Sequence, residues 1–370
     1  DVLLAVPGVS PAGLDEVVRS RMLLPSGAEP DVVRFEHELL RRVALDRLAP
    51  ATAAEVHHLV LVALDSVGPE GSVAPAVRAH HAVAAASIDA ARAVRAAHEA
   101  ASVAAHSRDH AEAGSWWLTA AAVLAERIPH AVAERLDRCV RAGEALIRVG
   151  DPRSEEILFD AATTATETGD LETAARAATA VCRLGPTSMA GRPHDEATAL
   201  CDDLLARIDS PRLRAPLAAA TTMVHSMAGA HGRCRELFDQ AERDAEADGS
   251  DEVLIDVLPF SYMSLSAPAD LERRERISDR LLQAGRRIDR PDGQWSALHL
   301  RFSNQLQRGD PALRDTADEM VALAPRVRER QRDWETCYVR ATVAFVDDRL
   351  DDCEAAITET LHFVDTVAES

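Results

Sequence analysis

Lysine is missing from this 370-residue chain, in which all 41 basic residues are arginine, and Asn304 is the only asparagine. Without lysine, a Schiff-base mechanism and a GxxxxGK[ST] phosphate loop are both excluded. Alanine, arginine, aspartate and glutamate are used heavily instead, a bias typical of GC-rich bacterial genomes. These absences remove two large classes of enzyme chemistry before any motif is considered.

Long apolar runs and paired cysteines are missing too. No run of 18 apolar residues occurs, which excludes a membrane-spanning helix, and the first residues lack the basic region and cleavage site of a signal peptide. The six cysteines form no CxxC pair, so we expect buried thiols in the reducing cytoplasm and not disulfides or a zinc site. A net charge of -20 opposes binding to nucleic acid.

The first 67 residues differ in pattern from the rest. A helical stretch near Leu14 is followed by two short apolar runs, "MLLP" and "DVVRF", which flank a turn containing Gly27 and Pro30. This pattern predicts a β-hairpin. The next two stretches have helical spacing, and we expect the first of them to bury Leu39 and Val43. The order of elements indicates a partial winged-helix domain over residues 1–67.

From residue 68 onward, amphipathic helices alternate with short breaks rich in Gly, Pro and Asp. Every second helix carries a small or apolar residue followed by others four and seven positions on, which places the three on one helical face. Successive units begin 36 to 43 residues apart. The sets are Ala113/Trp117/Ala120, Ser154/Leu158/Ala161, Ala197/Cys201/Leu204, Cys234/Phe238/Ala241, Ile277/Leu281/Ala284, Ala317/Val321/Ala324 and Cys353/Ile357/Thr360. We predict an all-α solenoid of helical hairpins over residues 68–370, similar to tetratricopeptide repeats.

The string "DDRLDD" is the most enzyme-like motif. Asp347, Asp348 and Asp351 match the DDxxD pattern with which some helical enzymes bind magnesium and diphosphate. The aromatic content of 4% is too low to line a carbocation pocket. We therefore interpret the string as an acidic turn between two helices.

Histidines occur in two adjacent pairs, His57-His58 and His80-His81. Adjacent residues on a helix point about 100° apart, so neither pair is expected to chelate one ion. His106 and His110 have the i, i+4 spacing of a helical metal site, but "SRD" between them indicates a break. No metal site is predicted.

Aromatic residues provide the candidates for a ligand groove. Trp117 belongs to the packing face, which leaves Trp116 free to face a groove, and "PFSYM" forms a second apolar aromatic patch. Because helical repeats present a long concave binding face, we expect an effector there, either a small molecule, a peptide or a partner protein. The groove candidates are Trp116, Phe260, Tyr262 and Trp295.

The segment "RFEHELLRRVALDRLAPATAAEVHHLVLVAL" resembles the winged-helix region of STAND-type ATPases and of large LuxR-type transcriptional regulators. Arg34, Phe35 and His37 match the end of the wing strand, Leu48 and Pro50 match a Leu-x-Pro string, and "RAHHAVAAA" matches the next element. Thr52 and Ala53 stand where the family usually has arginines. The later helices look like the family's helical repeats.

This resemblance implies a sensor region whose effector changes the nucleotide state of an ATPase module in the same chain. In such proteins a winged-helix histidine contacts the phosphates of ADP, and His37 occupies the matching position. ATP or ADP with magnesium would be the cofactor of the full-length protein, whereas the fragment itself needs none and carries no catalytic motif. A stand-alone repeat scaffold and a magnesium-dependent enzyme using the DDxxD string are the alternatives.

Overall fold

The computed structural model describes residues 2–25, 32–67, 73–183, 194–227, 229–327 and 330–368, and almost all of them are helical. The all-α fold predicted from the repeat pattern is confirmed. The chain divides into two compact units, residues 1–142 and 143–370. The predicted domain boundary between residues 67 and 68 adjoins residues 68–72, which are outside the described part, and it stays a prediction.

The first unit begins with a short helix, a longer helix and the predicted hairpin. Strands β1 and β2 are antiparallel, with Leu23 opposite Phe35 and Pro25 opposite Val33; the turn containing Gly27 and Pro30 lies outside the described residues. The elements are α1 (Val2–Ala5), α2 (Pro11–Arg19), β1 (Leu23–Pro25), β2 (Val33–Phe35), α3 (Glu38–Asp46), α4 (Pro50–Val67), α5 (Pro75–Ala84), α6 (Ala90–His106), α7 (His110–Arg127) and α8 (Val132–Arg148), which crosses into the second unit.

One packing prediction for this region is wrong. Leu39 and Val43 of α3 were expected in the core, but their side chains are exposed. Among the described residues, the one extensive contact of α3 is with β2, so its apolar side is left largely uncovered. The core of this unit forms further on, between α4, α5, α6 and α7, where Leu61, Val94 and Leu124 are buried together.

Helix starts in this unit follow ordinary capping chemistry. The Asp89 carboxylate accepts a hydrogen bond from the Arg92 amide at the start of α6, and Asp109 accepts one from Glu112 at the start of α7. Such caps satisfy amides that have no partner within the helix. The α7 cap lies within the predicted "SRD" break, so His106 ends one helix and His110 begins the next.

The second unit is a series of helical hairpins. Its helices are α9 (Arg153–Thr168), α10 (Leu171–Arg183), α11 (His194–Arg207), α12 (Pro211–Met227), α13 (His231–Asp248), α14 (Asp251–Val257), α15 (Ser261–Ser264), α16 (Leu271–Arg287), α17 (Pro291–Arg308), α18 (Leu313–Val327), α19 (Arg330–Val346) and α20 (Leu350–Ala368). A 3₁₀ turn at Leu258–Phe260 joins α14 to α15.

The predicted repeat register is observed in most hairpins. All three positions are buried in α7, α9, α11, α13 and α16, including Ile277, whose fit to the pattern was loose. The register departs at Val321 and Ile357, which are exposed. Val321 borders a cleft between α18, α19 and α20.

Arginine–carboxylate pairs connect successive hairpins of the second unit. Glu242 on α13 accepts from Arg273 and Arg280 on α16, at 2.7 and 2.8 Å. Further pairs of this kind are Arg235–Asp270, Arg308–Glu275 and Arg286–Glu319. Because arginine is the only strong cation available, the chain uses its planar fork for each of these contacts.

Candidate functional site

Both tyrosines of the chain lie at matching positions of the repeat. Tyr262 on α15, His299 on α17 and Tyr338 on α19 follow one another at intervals of 37 and 39 positions along the chain. Tyr262 and Tyr338 are 49% and 44% exposed. We call the surface formed by Tyr262, His299, Trp334, Tyr338 and Phe345 the tyrosine face. It is built by the first helices of three consecutive hairpins.

A buried layer supports the tyrosine face. The His299 ring lies under Tyr262, with centroids 6.5 Å apart and planes 23° apart, and 5.3 Å from the ring of Trp295. Trp295 is fully buried, and the Arg332 guanidinium covers it at 4.7 Å from the ring centroid. This cation–π contact joins α17 to α19. Trp295 therefore holds the face from beneath, whereas the sequence suggested it as a groove residue.

Burial disfavours the charged form of His299. Desolvation lowers the pKa of its imidazole, opposed by nearby Glu335 and reinforced by Arg332. The Arg332 guanidinium donates to the Glu335 carboxylate at 2.6 Å, so the two charges largely compensate each other. The floor of the face is consequently aromatic and close to neutral.

Helix α19 contributes the most exposed part of the face. Trp334, Tyr338 and Phe345 are four and seven residues apart, which aligns them on one side of the helix. The Trp334 and Tyr338 rings stack at 6.4 Å with an angle of 11°, and Phe345 is 66% exposed. Large exposed aromatic side chains in a row are typical of interaction surfaces.

Phe260 ends the 3₁₀ turn that precedes α15, two positions before Tyr262. The Arg183 guanidinium at the end of α10 lies 5.9 Å from the Phe260 ring centroid and pairs with the Asp256 carboxylate at 3.2 Å. The Phe260 ring is half-buried against the core of the second unit. The structure thus places the groove candidates Phe260, Tyr262 and Trp295 in one region.

Trp116 belongs to the first unit. It is half-buried on α7, and its indole N–H donates to the Glu112 carboxylate one turn earlier, at 3.2 Å. Trp117 packs into the core as the register predicted.

His37 lies at the start of α3 with an exposed side chain. Its carbonyl oxygen accepts the amide of Leu40 at 2.9 Å, which begins the helix. The neighbouring Glu38 pairs with Arg41 on the same helix at 2.8 Å. The assignment of His37 to ADP binding stays a prediction.

The DDxxD aspartates lie where an acidic turn was predicted. Asp347 and Asp348 are in the turn between α19 and α20, and Asp351 is in the first turn of α20. The Asp347 carboxylate accepts from Arg314 at 2.8 Å, and this contact lowers its pKa. A carboxylate already paired with an arginine is a poor start for a magnesium site.

The sequence reasoning missed a contact between histidines of different helices. His57 on α4 meets His80 and His81 on α5, with ring centroids 4.9 to 5.7 Å apart and the Nδ1 atoms of His57 and His81 at 2.8 Å. Predicting this contact requires knowing that α4 packs against α5, because the histidines lie on different helices. Within the described ranges, no group of three His, Cys, Asp or Glu side chains is arranged to hold a metal ion.

A cleft of about 310 Å³ lies between α18, α19 and α20. Apolar side chains such as Val321, Val343 and Ala356 line it together with charged ones such as Arg340 and Asp352. No helix in the described part of the chain is both long and apolar enough to cross a membrane.

Neither a protein-family model nor a curated protein sequence matches the chain. Solved structures do. A Rap protein complexed with competence and sporulation factor aligns with a TM-score of 0.55 and 11% identity over 90% of this chain and 92% of that one. The Rap conjugation gene regulator of plasmid pLS20, in complex with the Phr* peptide, gives 0.51 and 12% over 90% and 89%.

A STAND protein with a tetratricopeptide repeat sensor from Pyrococcus horikoshii also aligns, over 99% of this chain and 61% of that one, at 12% identity. Its TM-score of 0.43 is lower than those of the two Rap proteins. With such low sequence identities the likeness concerns the fold alone. The chain has the tetratricopeptide-like helical fold of the Rap proteins.

Proposed function

We propose that the chain is a binding module that takes up a peptide or a segment of a partner protein on the tyrosine face. The observation that carries this proposal is the position of Tyr262 and Tyr338, the only tyrosines, at repeat-equivalent and exposed sites. Tyrosine and tryptophan are enriched among the residues that dominate binding energy. The two Rap proteins of similar fold are complexes with competence and sporulation factor and with the Phr* peptide, which supports a peptide ligand here.

The extent of the face favours a polypeptide over a metabolite. It is carried by three successive first helices, and packed helices lie about 8–10 Å apart. A ligand that contacts both Tyr262 and Tyr338 therefore spans roughly 20 Å, or about six residues of extended chain. A small-molecule effector, which the sequence analysis also allowed, is too short to contact both tyrosines.

We further propose that binding serves signal reception in the cytoplasm, as the sensor region of a STAND-type regulator. Support comes from the Arg34-Phe35-His37 string and its likeness to the winged-helix region of that family. In this scheme, ligand binding shifts an ATPase module between an ADP-bound and an ATP-bound state. The nucleotide and magnesium would belong to that module, and His37 would contact the ADP phosphates.

A repeat scaffold without a switching role is the second candidate. The exposed apolar side chains of α19 and α20, among them Phe345, Leu350 and Ile357, favour it, because such surfaces are used to assemble proteins. The two candidates share the tyrosine face and differ in whether nucleotide changes the affinity for the ligand.

Selection of random 12-residue peptides on the whole chain tests the binding proposal. We expect enriched peptides that bind the wild type and fail to bind a Tyr262→Ala/Tyr338→Ala variant. Phe35→Ala is the control, because it removes an exposed aromatic ring from the first unit. Enriched peptides that bind the double variant as well as the wild type would reject the tyrosine face.

A further inference from the structure

Two thiols that no described function uses lie side by side in the second unit. Cys182 is near the end of α10 and Cys201 is on α11, and their sulfur atoms are 3.4 Å apart. Both side chains are buried, and α12 closes the site with Thr221, which is fully buried. Elsewhere, Cys234 contacts the Thr222 carbonyl, and Cys139 and Cys353 are half-buried.

We propose that Cys182 and Cys201 are a redox-sensitive pair that closes to a disulfide and joins α10 to α11. A disulfide requires a sulfur–sulfur distance of about 2.0 Å, so the two atoms need to approach by about 1.4 Å. Movement of this size is within the range of side-chain adjustment.

The chemistry of the pair favours stepwise oxidation. The thiol of Cys182 donates to Cys201, which lowers the pKa of Cys201, while the same contact and burial raise the pKa of Cys182. The Cys201 thiolate is therefore the first nucleophile, since the thiolate and not the thiol reacts. Burial restricts access, so the reaction proceeds when the site opens locally.

Hydrogen peroxide is the oxidant that completes the reaction. The Cys201 thiolate attacks one peroxide oxygen, the O–O bond breaks, and the departing hydroxide takes a proton to give water and a sulfenic acid. The Cys182 sulfur then attacks the sulfenic sulfur, and the hydroxide released takes the Cys182 proton to form a second water. Two thiols are oxidised to one disulfide while peroxide is reduced to two waters.

The bond would constrain a region that borders the tyrosine face. Arg183, next to Cys182, is the residue that covers Phe260 and pairs with Asp256. Nineteen positions separate the two cysteines along the chain. Cross-links over loops of this size raise stability chiefly by restricting the unfolded chain.

Peptide mass mapping of the whole chain after peroxide treatment tests the pair. We expect a cross-linked Cys182–Cys201 peptide that is 2 Da lighter than its reduced parts and that dithiothreitol separates. The melting temperature of the oxidised protein should be at least about 5 °C higher than that of the reduced protein. Cys139→Ser is the control variant and should keep both the cross-link and the rise.

Cys201→Ala should lose both the cross-link and the stabilisation by peroxide. Cys182→Ala provides the reciprocal variant if the first does not fold. The proposal is overturned if both thiols remain open to alkylation after treatment and denaturation. It is equally overturned if peroxide raises the melting temperature of Cys201→Ala as much as that of the wild type.

Discussion

At the scale of single residues, neutral histidines join α4 to α5. Burial, with His57 and His80 adding to it, lowers the pKa of His81 to about 4, and burial also lowers the pKa of His57. The 2.8 Å contact between their Nδ1 atoms requires one ring to accept a hydrogen bond, which a protonated ring cannot do. This contact is therefore sensitive to acid.

Acid should weaken the first unit between pH 6.5 and 4. An unfolded histidine titrates near 6.5, so the unfolded chain binds more protons than the folded one in this window. The stabilisation is present above pH 6.5 and is lost as pH falls toward 4. Calorimetric melting from pH 7.5 to 4.5 should show a smaller decline for His81→Phe than for the wild type. His106→Phe, at an exposed site, should keep the wild-type decline; equal declines for all three would contradict this explanation.

At the scale of helices, glycine allows close approach in the middle of the second unit. A Cβ on Gly293 of α17 would lie 2.9 Å from the Ile255 side chain of α14, and one on Gly285 of α16 would lie 2.9 Å from the Gln294 amide nitrogen. Contacts this short require the helices to shift. The two glycines thus fix how α14, α16 and α17 pack beneath the tyrosine face.

Gly293→Ala should destabilise the protein by about 1–3 kcal/mol through overpacking. Gly232→Ala on α13 is the matched control, because a Cβ there meets nothing within 4 Å. That variant should be neutral or stabilising by up to about 1 kcal/mol, since alanine favours the helix. Urea unfolding measures both, and a Gly293→Ala variant as stable as Gly232→Ala would refute the packing argument.

The helices and the period could be predicted from sequence because apolar spacing and capping residues determine them locally. Exposure could not. Leu39 and Val43 have the same helical spacing as buried residues, and only the absence of a covering helix among the described residues leaves them exposed. Tyr338 and Trp334 were missed as site residues for a related reason: spacing shows which side of a helix is apolar, but not which helix packs there.

At the scale of the whole molecule, arginine pairs tie one repeat to the next. Glu242 holds two arginines from the following hairpin and is 15% exposed, so its contacts are better shielded from solvent than those at the surface. A helical array is stable in proportion to such contacts between neighbours. Several ion pairs in successive repeats therefore stabilise the fold more than one isolated surface pair does.

Glu242→Gln should lower stability by about 1–2 kcal/mol at low salt, because two charge-assisted hydrogen bonds are weakened. Glu236→Gln, on the same helix, loses only a contact with Arg233 and should change stability by less than about 0.5 kcal/mol. Urea unfolding at 0.05 and 1 M NaCl, roughly the range over which screening becomes strong, measures both. A difference between the variants that is unaffected by salt would contradict an electrostatic origin.

Binding of a peptide across three repeats is the central claim, and one affinity ratio tests it most directly. The measurement is isothermal titration calorimetry of one selected peptide with the wild type, Tyr338→Ala and the control Phe35→Ala. Loss of a residue that dominates binding costs about 2 kcal/mol, or about 30-fold in Kd. We predict this weakening for Tyr338→Ala and an unchanged Kd for Phe35→Ala. Equal Kd values for the wild type and Tyr338→Ala would contradict the claim.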